Sequence, residues 1–318
     1  MGILELVSLP ALMALSNGRR DVVVGLLDGP VALAHPELAG ACIQEIPGVS
    51  GRCAQTGSVG CRHGTFVAGM LVARRGSSAP AICPDCSVLV RPIFPDAVSE
   101  DVQVPSATPE QVAVAIRECV GAGAWVLNLS AATGAPSTRT EQQLHQALDD
   151  AARLGVLVVA AGNQGTLGSS AITRHPWVIP VVGYGADGRV MDASNLGSSA
   201  GKRGLGAPGE GVTSLAPEGE PVTLAGTSFA AAIVTGAVAL LWSLFPRAPA
   251  VAVKNAVLSS PARRRRSVVP PLLDTVGAYQ LLSQTQGGHV HERRATEGTS
   301  PGRKAAAASG AAARVCQG

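Results

Sequence analysis

The sequence predicts a three-layer α/β fold in which a doubly wound, mostly parallel central sheet is covered by helices on both faces. Short apolar runs without helical period recur at 21–27, 87–93, 124–130, 155–161 and 177–183, each followed by turn-forming residues. Helical patterns separate several of them. The stretch 109–120 follows Thr108 and carries Glu110, while 140–154 sets Leu144, Ala147, Leu148, Ala151 and Ala152 at helical spacing. Strands alternating with helices imply βαβ units, hence a parallel sheet buried on both sides. Composition agrees: 46% hydrophobic but 3% aromatic, with 38 glycines, describes Ala/Val/Gly packing rather than aromatic binding platforms.

A length of 318 residues is enough for one large core. We divide the chain into an N-terminal helical extension at 1–20 packed on the domain, a main α/β domain at 21–284 and a disordered tail at 285–318, where apolar periodicity dissolves. Residues 3–15 read as one short amphipathic helix; Glu5 and the absence of a basic flank argue against a signal peptide. A formal charge of +3, part of it in Arg263–Arg266, is too small to argue for nucleic acid. The longest apolar run, 229–244, is short for a membrane span and rich in Ala, Gly and Thr, so a soluble, cytoplasmic protein is expected. Of 7 cysteines, the conservative expectation is free thiols. Spacing also allows a local disulfide between Cys83 and Cys86 or between Cys53 and Cys61, and Cys83-Pro84-Asp85-Cys86 has no second pair to complete a zinc site.

Chemistry concentrates at the ends of the predicted strands. Asp28 closes the first strand just before Gly29-Pro30, the place where open α/β sheets bind ligands. His63 precedes Gly64 and Thr65 at the expected start of a helix reaching Val72, with its ring uncrowded by a large neighbour. Asn163, between Gly162 and Gln164-Gly165, follows the fourth strand and can present a side-chain NH2 to an oxyanion. Ser228 follows Gly226-Thr227, a sharp turn and a candidate cap, at the positive end of the apolar helix. Each alone reads equally as a turn, cap or core residue. Together they supply a nucleophile, a base, a carboxylate to orient it and an oxyanion donor.

The order Asp28, His63, Ser228 is that of the subtilisin triad. With the strand ending in Asp28-Gly29, the His63-Gly64-Thr65-Phe66-Val67-Ala68-Gly69 segment, Ala160-Ala161-Gly162-Asn163 and Gly226-Thr227-Ser228-Phe229-Ala230, the sequence resembles the subtilisin-family serine peptidases over roughly residues 20–260. Asp28-Gly29-Pro30-Val31, His35-Pro36, the Cys-Pro-x-Cys loop, Leu89-Val90-Arg91-Pro92-Ile93-Phe94 and the Pro270-to-Leu282 segment are similar to the PatA/PatG-type cyanobactin-maturation proteases.

The resemblance implies a subtilisin-like fold and peptide-bond cleavage by an acyl-enzyme route, with Asp28, His63 and Ser228 catalytic and Asn163 in the oxyanion hole. It further implies that an extended peptide adds as a strand beside 128–133, making Ser130, Ala131, Ala132 and Gly162 substrate-binding residues. Ala132 and Thr133 replace the family's usual glycines there, so side-chain preference does not carry over. No acidic cluster matches the family's tight calcium site, and we expect neither a metal nor a cofactor. The first strand begins so close to Met1 that no export signal or folding pro-segment is expected, which favours an intracellular enzyme with a dedicated partner, a ribosomal precursor peptide. Four rivals stand against this: a general intracellular subtilase; a silent peptide-binding pseudopeptidase, which should have lost a triad member; a disulfide-rich binding module, which the buried parallel sheet contradicts; and an esterase, which needs a second glycine after the serine that Gly226-Thr227-Ser228-Phe229-Ala230 lacks.

Overall fold

Every residue of β1 (Val23–Asp28) is buried, because the strand lies in the middle of a sheet covered on both faces. The computed structural model describes residues 2–48, 51–96, 106–130, 132–133, 138–162, 167–259 and 267–295. Around β1 are β2 (Cys42–Glu45), β3 (Ser87–Pro92), β5 (Val126–Leu129), β7 (Leu157–Ala161), β8 (Val178–Tyr184) and β9 (Leu205–Pro208), in the order β2-β3-β1-β5-β7-β8-β9 with every pairing parallel. Outside this sheet, β4 (Ser106–Ala107) pairs in parallel with β6 (Ala132–Thr133), and β10 (Val212–Ser214) forms a hairpin with β11 (Val222–Leu224). The helices are α1 (Leu9–Leu15), α2 (Val59–Val72), α3 (Pro109–Gly121), α4 (Thr138–Arg153), α5 (Ala171–Arg174), α6 (Ser198–Arg203), α7 (Thr227–Leu244), α8 (Ala250–Leu258) and α9 (Thr275–Ala295).

Alternation along β1 builds two cores. Val24 and Leu26 pack with α2 and α7, whereas Val23 and Leu27 pack with α3 and α4. The α/β reading is therefore correct in class and layering. The chain leaves β1 for β3 on one side and later crosses to β5 on the other, which makes the carboxyl end of β1 the topological switch point. Leu27 pairs with Leu129 and Leu129 with Ala160, so Asp28, Ser130 and Gly162 stand at the ends of three adjacent strands.

Several expected boundaries move. The segment 3–15 is a 3-10 helix (Ile3–Val7) followed by α1, broken at Ser8 (φ 52°), because Pro10 suits the first turn of a new helix and not the interior of an old one. Both pieces pack on the domain, α1 against α7 and α9. Helix α9 runs on through Ala295, into the stretch expected to be a tail; once nucleated on α8 and α1, a helix extends at little cost through residues that could not start one. Helix α7, at a mean hydropathy of 1.8, is long and apolar enough to cross a membrane but is 94% buried among α2 and strands β5, β7, β8 and β9. Cys83, Cys86 and Cys119 are free and buried, while Cys53 and Cys61 form a disulfide with Cα atoms 5.4 Å apart, which corrects the free-thiol expectation at that pair.

Candidate active site

The end of β1 is shaped by residues that lack side chains. A Cβ on Gly29 would stand 1.9 Å from the Gly60 carbonyl oxygen, and one on Gly64 would stand 2.4 Å from that of Gly29 and 2.5 Å from that of Pro30. Gly60 and Gly64 lie one helical turn apart, so α2 presents a bare stripe into which the 29–30 backbone settles. No larger residue at position 29 fits against Gly60.

That close approach brings His63 to Asp28. His63 Nδ1 lies 2.6 Å from Asp28 Oδ1, which also accepts the Gly29 N–H at 2.6 Å. Asp28 is fully buried, and its Oδ2 has no hydrogen-bond partner among the described residues. Burial pushes the His63 imidazolium toward neutrality, but the charge and hydrogen bond of Asp28 outweigh it and hold the pKa above the usual 6.5. His63 does not precede its helix as expected. Helix α2 starts at Val59 behind the N-cap Ser58, whose Oγ accepts the Cys61 N–H at 3.0 Å, so His63 sits inside the helix and its position is set by the helix axis.

Ser228 is 3% exposed at the second position of α7. Gly226 takes the N-cap place without a side-chain bond, and Gly226 N–H donates to Gly209 O at 2.7 Å, anchoring the chain where it turns into the helix. Thr227 does not cap: it is the first helical residue, and its buried Oγ1 has no partner among the described residues. Phe229, next after Ser228, stacks on the His63 ring with centroids 5.7 Å apart and packs on Phe66 at 4.3 Å. This stack places the start of α7 beside the imidazole. Among the described residues the ring's one side-chain hydrogen bond goes to Asp28, and the bond of a base to its nucleophile often tightens only when substrate is present.

The expected substrate residues are unevenly placed. The Ser130 hydroxyl accepts from Asn128 Nδ2 at 3.0 Å, and Asn128 Oδ1 accepts from Thr235 Oγ1 of α7 at 2.9 Å, a buried chain tying the end of β5 to the serine helix. Gly162 O accepts the Asn195 N–H at 3.0 Å. The Ala132 backbone pairs with Ser106 in the β4–β6 ladder. Asn163 and Ala131 lie outside the described residues. Sequence reasoning missed Phe94, edge-on to His63 at 6.5 Å, as well as Asn128 and Thr235. The signals in reach were the Leu89-to-Phe94 motif, which ends on Phe94, and the 128–133 segment, which begins at Asn128.

Comparison with known proteins settles the family, since the subtilase family matches residues 19–293. The chain belongs to the subtilase family. It is 31% identical to subtilisin DY of Bacillus licheniformis over 246 residues, covering 76% of this chain and 83% of that one. It spans 59% of the length of subtilisin amylosacchariticus of Bacillus subtilis. Among solved structures, a mutant of the protease domain of PatA aligns with a TM-score of 0.73 at 32% identity, covering 85% of this chain and 97% of that one. The prenylagaramide maturation protease PagA aligns at 0.75 and 28%, covering 87% and 99%. This subtilase is accordingly a serine-type peptidase of the α/β subtilisin-like fold, similar to the cyanobactin-maturation proteases.

Proposed function

We propose that this subtilase is an endopeptidase in which Asp28, His63 and Ser228 form the catalytic triad. The carrying observation is the 2.6 Å bond from His63 Nδ1 to a fully buried Asp28, with the residue after Ser228 stacked on the same ring. Asp28 holds the imidazole so that Nδ1 keeps its proton and Nε2 remains a base. His63 takes the proton of the Ser228 hydroxyl as Oγ bonds to the scissile carbonyl carbon. The carbonyl oxygen becomes an anion received by the Ser228 N–H, at the positive end of α7, and by the Asn163 amide. Collapse breaks the C–N bond, His63 giving its proton to the departing amine. Water, giving a proton to His63, then bonds to the acyl carbon; the C–Oγ bond breaks to release the acid, and His63 returns the proton to Ser228 Oγ.

For the substrate we propose a ribosomal precursor peptide from which a leader is removed, binding as an added strand at the ends of β5 and β7. This is supported by the near-complete coverage of PatA and PagA, whose names state patellamide and prenylagaramide maturation. Fluorophosphonate labelling followed by peptide mapping tests the chemistry: an adduct on Ser228, lost in Ser228→Ala, is expected, and its absence from folded wild type refutes the triad. Mass spectrometry of products from an unbiased peptide library tests the substrate, and digestion of casein as readily as of precursor-like peptides counts against a dedicated partner.

A further inference from the structure

Phe94, Pro95 and Asp96, which follow β3, meet the start of α2 one after another. The Phe94 ring is edge-on to His63, the Pro95 carbonyl lies 2.7 Å from where a Cβ on Gly60 would stand, and the Asp96 carboxylate receives the Ser58 hydroxyl. Asp96 Oδ2 also accepts the N–H groups of Ala54 and Gln55, at 2.8 and 3.0 Å. One carboxylate thus gathers three donors from the loop that leads into the histidine helix, and the Cys53–Cys61 disulfide closes that loop covalently. Nothing in peptide hydrolysis uses Asp96.

Resting on the triad reading above, we infer that Asp96 is a positioning residue for His63, acting through Ser58. The Ser58 hydroxyl has one proton, and once Asp96 takes it the oxygen is left as an acceptor toward Cys61 N–H, the state an N-cap requires. An unclamped hydroxyl can rotate and point its proton at the helix end. Fixing the first turn of α2 fixes the register at which His63 meets Asp28, and small misplacements of a catalytic base are costly.

The test is the second-order rate at which a fluorophosphonate labels Ser228, which requires no knowledge of the natural substrate. Asp96→Ala should slow labelling on the order of tenfold to a hundredfold at temperatures where it remains folded. Asp96→Asn, which keeps an acceptor oxygen at the same place, should recover a large part of the rate. The double variant Asp96→Ala/Ser58→Ala should be no slower than Asp96→Ala alone, and the low-field proton resonance of the His63–Asp28 bond should broaden or shift in each slowed variant. Labelling of folded Asp96→Ala at the wild-type rate overturns the inference, whatever happens to its melting temperature. If Asp96→Ala does not fold, Ser58→Ala takes its place with the same expectation and the same overturning result. Wild type that is not labelled at Ser228 refutes the triad itself, a failure distinct from equal labelling of wild type and variant.

Discussion

Two turns at the ends of the sheet hold backbone in place by opposite means. At the end of β1, Gly29, Gly60 and Gly64 let main chain rest directly on main chain, and the His63–Asp28 contact follows from that absence of side chains. From the last turn of α5 to the start of β8, five successive carbonyls are gathered by cations. Arg203 donates to the oxygens of Thr173, Arg174 and His175 at 3.1, 3.0 and 3.5 Å, and Lys254 donates to those of Pro176 and Trp177 at 2.8 Å each, with its ammonium 4.6 Å from the Trp177 ring centre. The first device has no slack, since any added atom collides. The second can adjust, because long side chains reorient and water can replace part of what they supply. Substitutions in the first should therefore be read out in activity, and those in the second in stability.

The largest effect is expected at Gly29. Gly29→Ala puts a methyl against the Gly60 carbonyl, so α2 must back away. Overpacking of this kind costs about 1–3 kcal/mol or more, and displacement of a base costs on the order of a hundredfold in turnover. Amidase kinetics together with thermal melts measure both, and near-normal turnover would break the comparison.

Next comes pH. Since Asp28 holds the His63 pKa above 6.5, kcat/KM should fall as pH drops through a midpoint above that value, because a protonated imidazole cannot accept the serine proton. The sign for stability is opposite: a raised folded-state pKa means the His63–Asp28 pair contributes most below the unfolded pKa and loses its contribution as pH rises through the folded one. Asp28→Asn should remove the upward displacement of the activity midpoint.

Arg203→Ala should lower the melting temperature while leaving kcat close to wild type. Three carbonyls lose a charged donor, worth about 1–3 kcal/mol before water compensates. Arg203→Lys should recover only part of this, because all three bonds come from the terminal Nη2 of Arg203, which the shorter lysine side chain does not fully reach.

The smallest effect concerns Lys254, whose pKa is lowered to about 8, first by burial and then by Arg203. Between about 8 and the ordinary 10.5 the unfolded chain holds a proton that the folded one has released, so stability should rise with pH across that window. Melting curves at intervals through it should show the rise in wild type and its loss in Lys254→Met.

Much of the sheet was legible because its strands are short apolar runs with turn residues at their ends, a local signal. The missed strands are β2, β4, β6, β9 and the β10–β11 hairpin, two to four residues each and held by neighbours rather than by pattern. Asp28, His63 and Ser228 were singled out by their strand-end and helix-start positions and joined by resemblance to a family. His63 was misplaced relative to its helix because the cap that starts α2, Ser58, is engaged by Asp96, a residue far along the chain. The Cys53–Cys61 pairing stayed open for a similar reason: eight residues of separation permit a disulfide, but only the helix start at Val59 turns Cys61 toward Cys53.

By itself, then, the sequence determined the class of the fold, the strand ends where polar residues gather and the order in which acid, imidazole and hydroxyl arrive, since all of these depend on local composition and periodicity. The tertiary structure alone decided the distances. Gly29 meets Gly60 and Asp96 meets Ser58 only after strands and helix have docked, and contacts between residues distant in the chain leave no periodic trace in it.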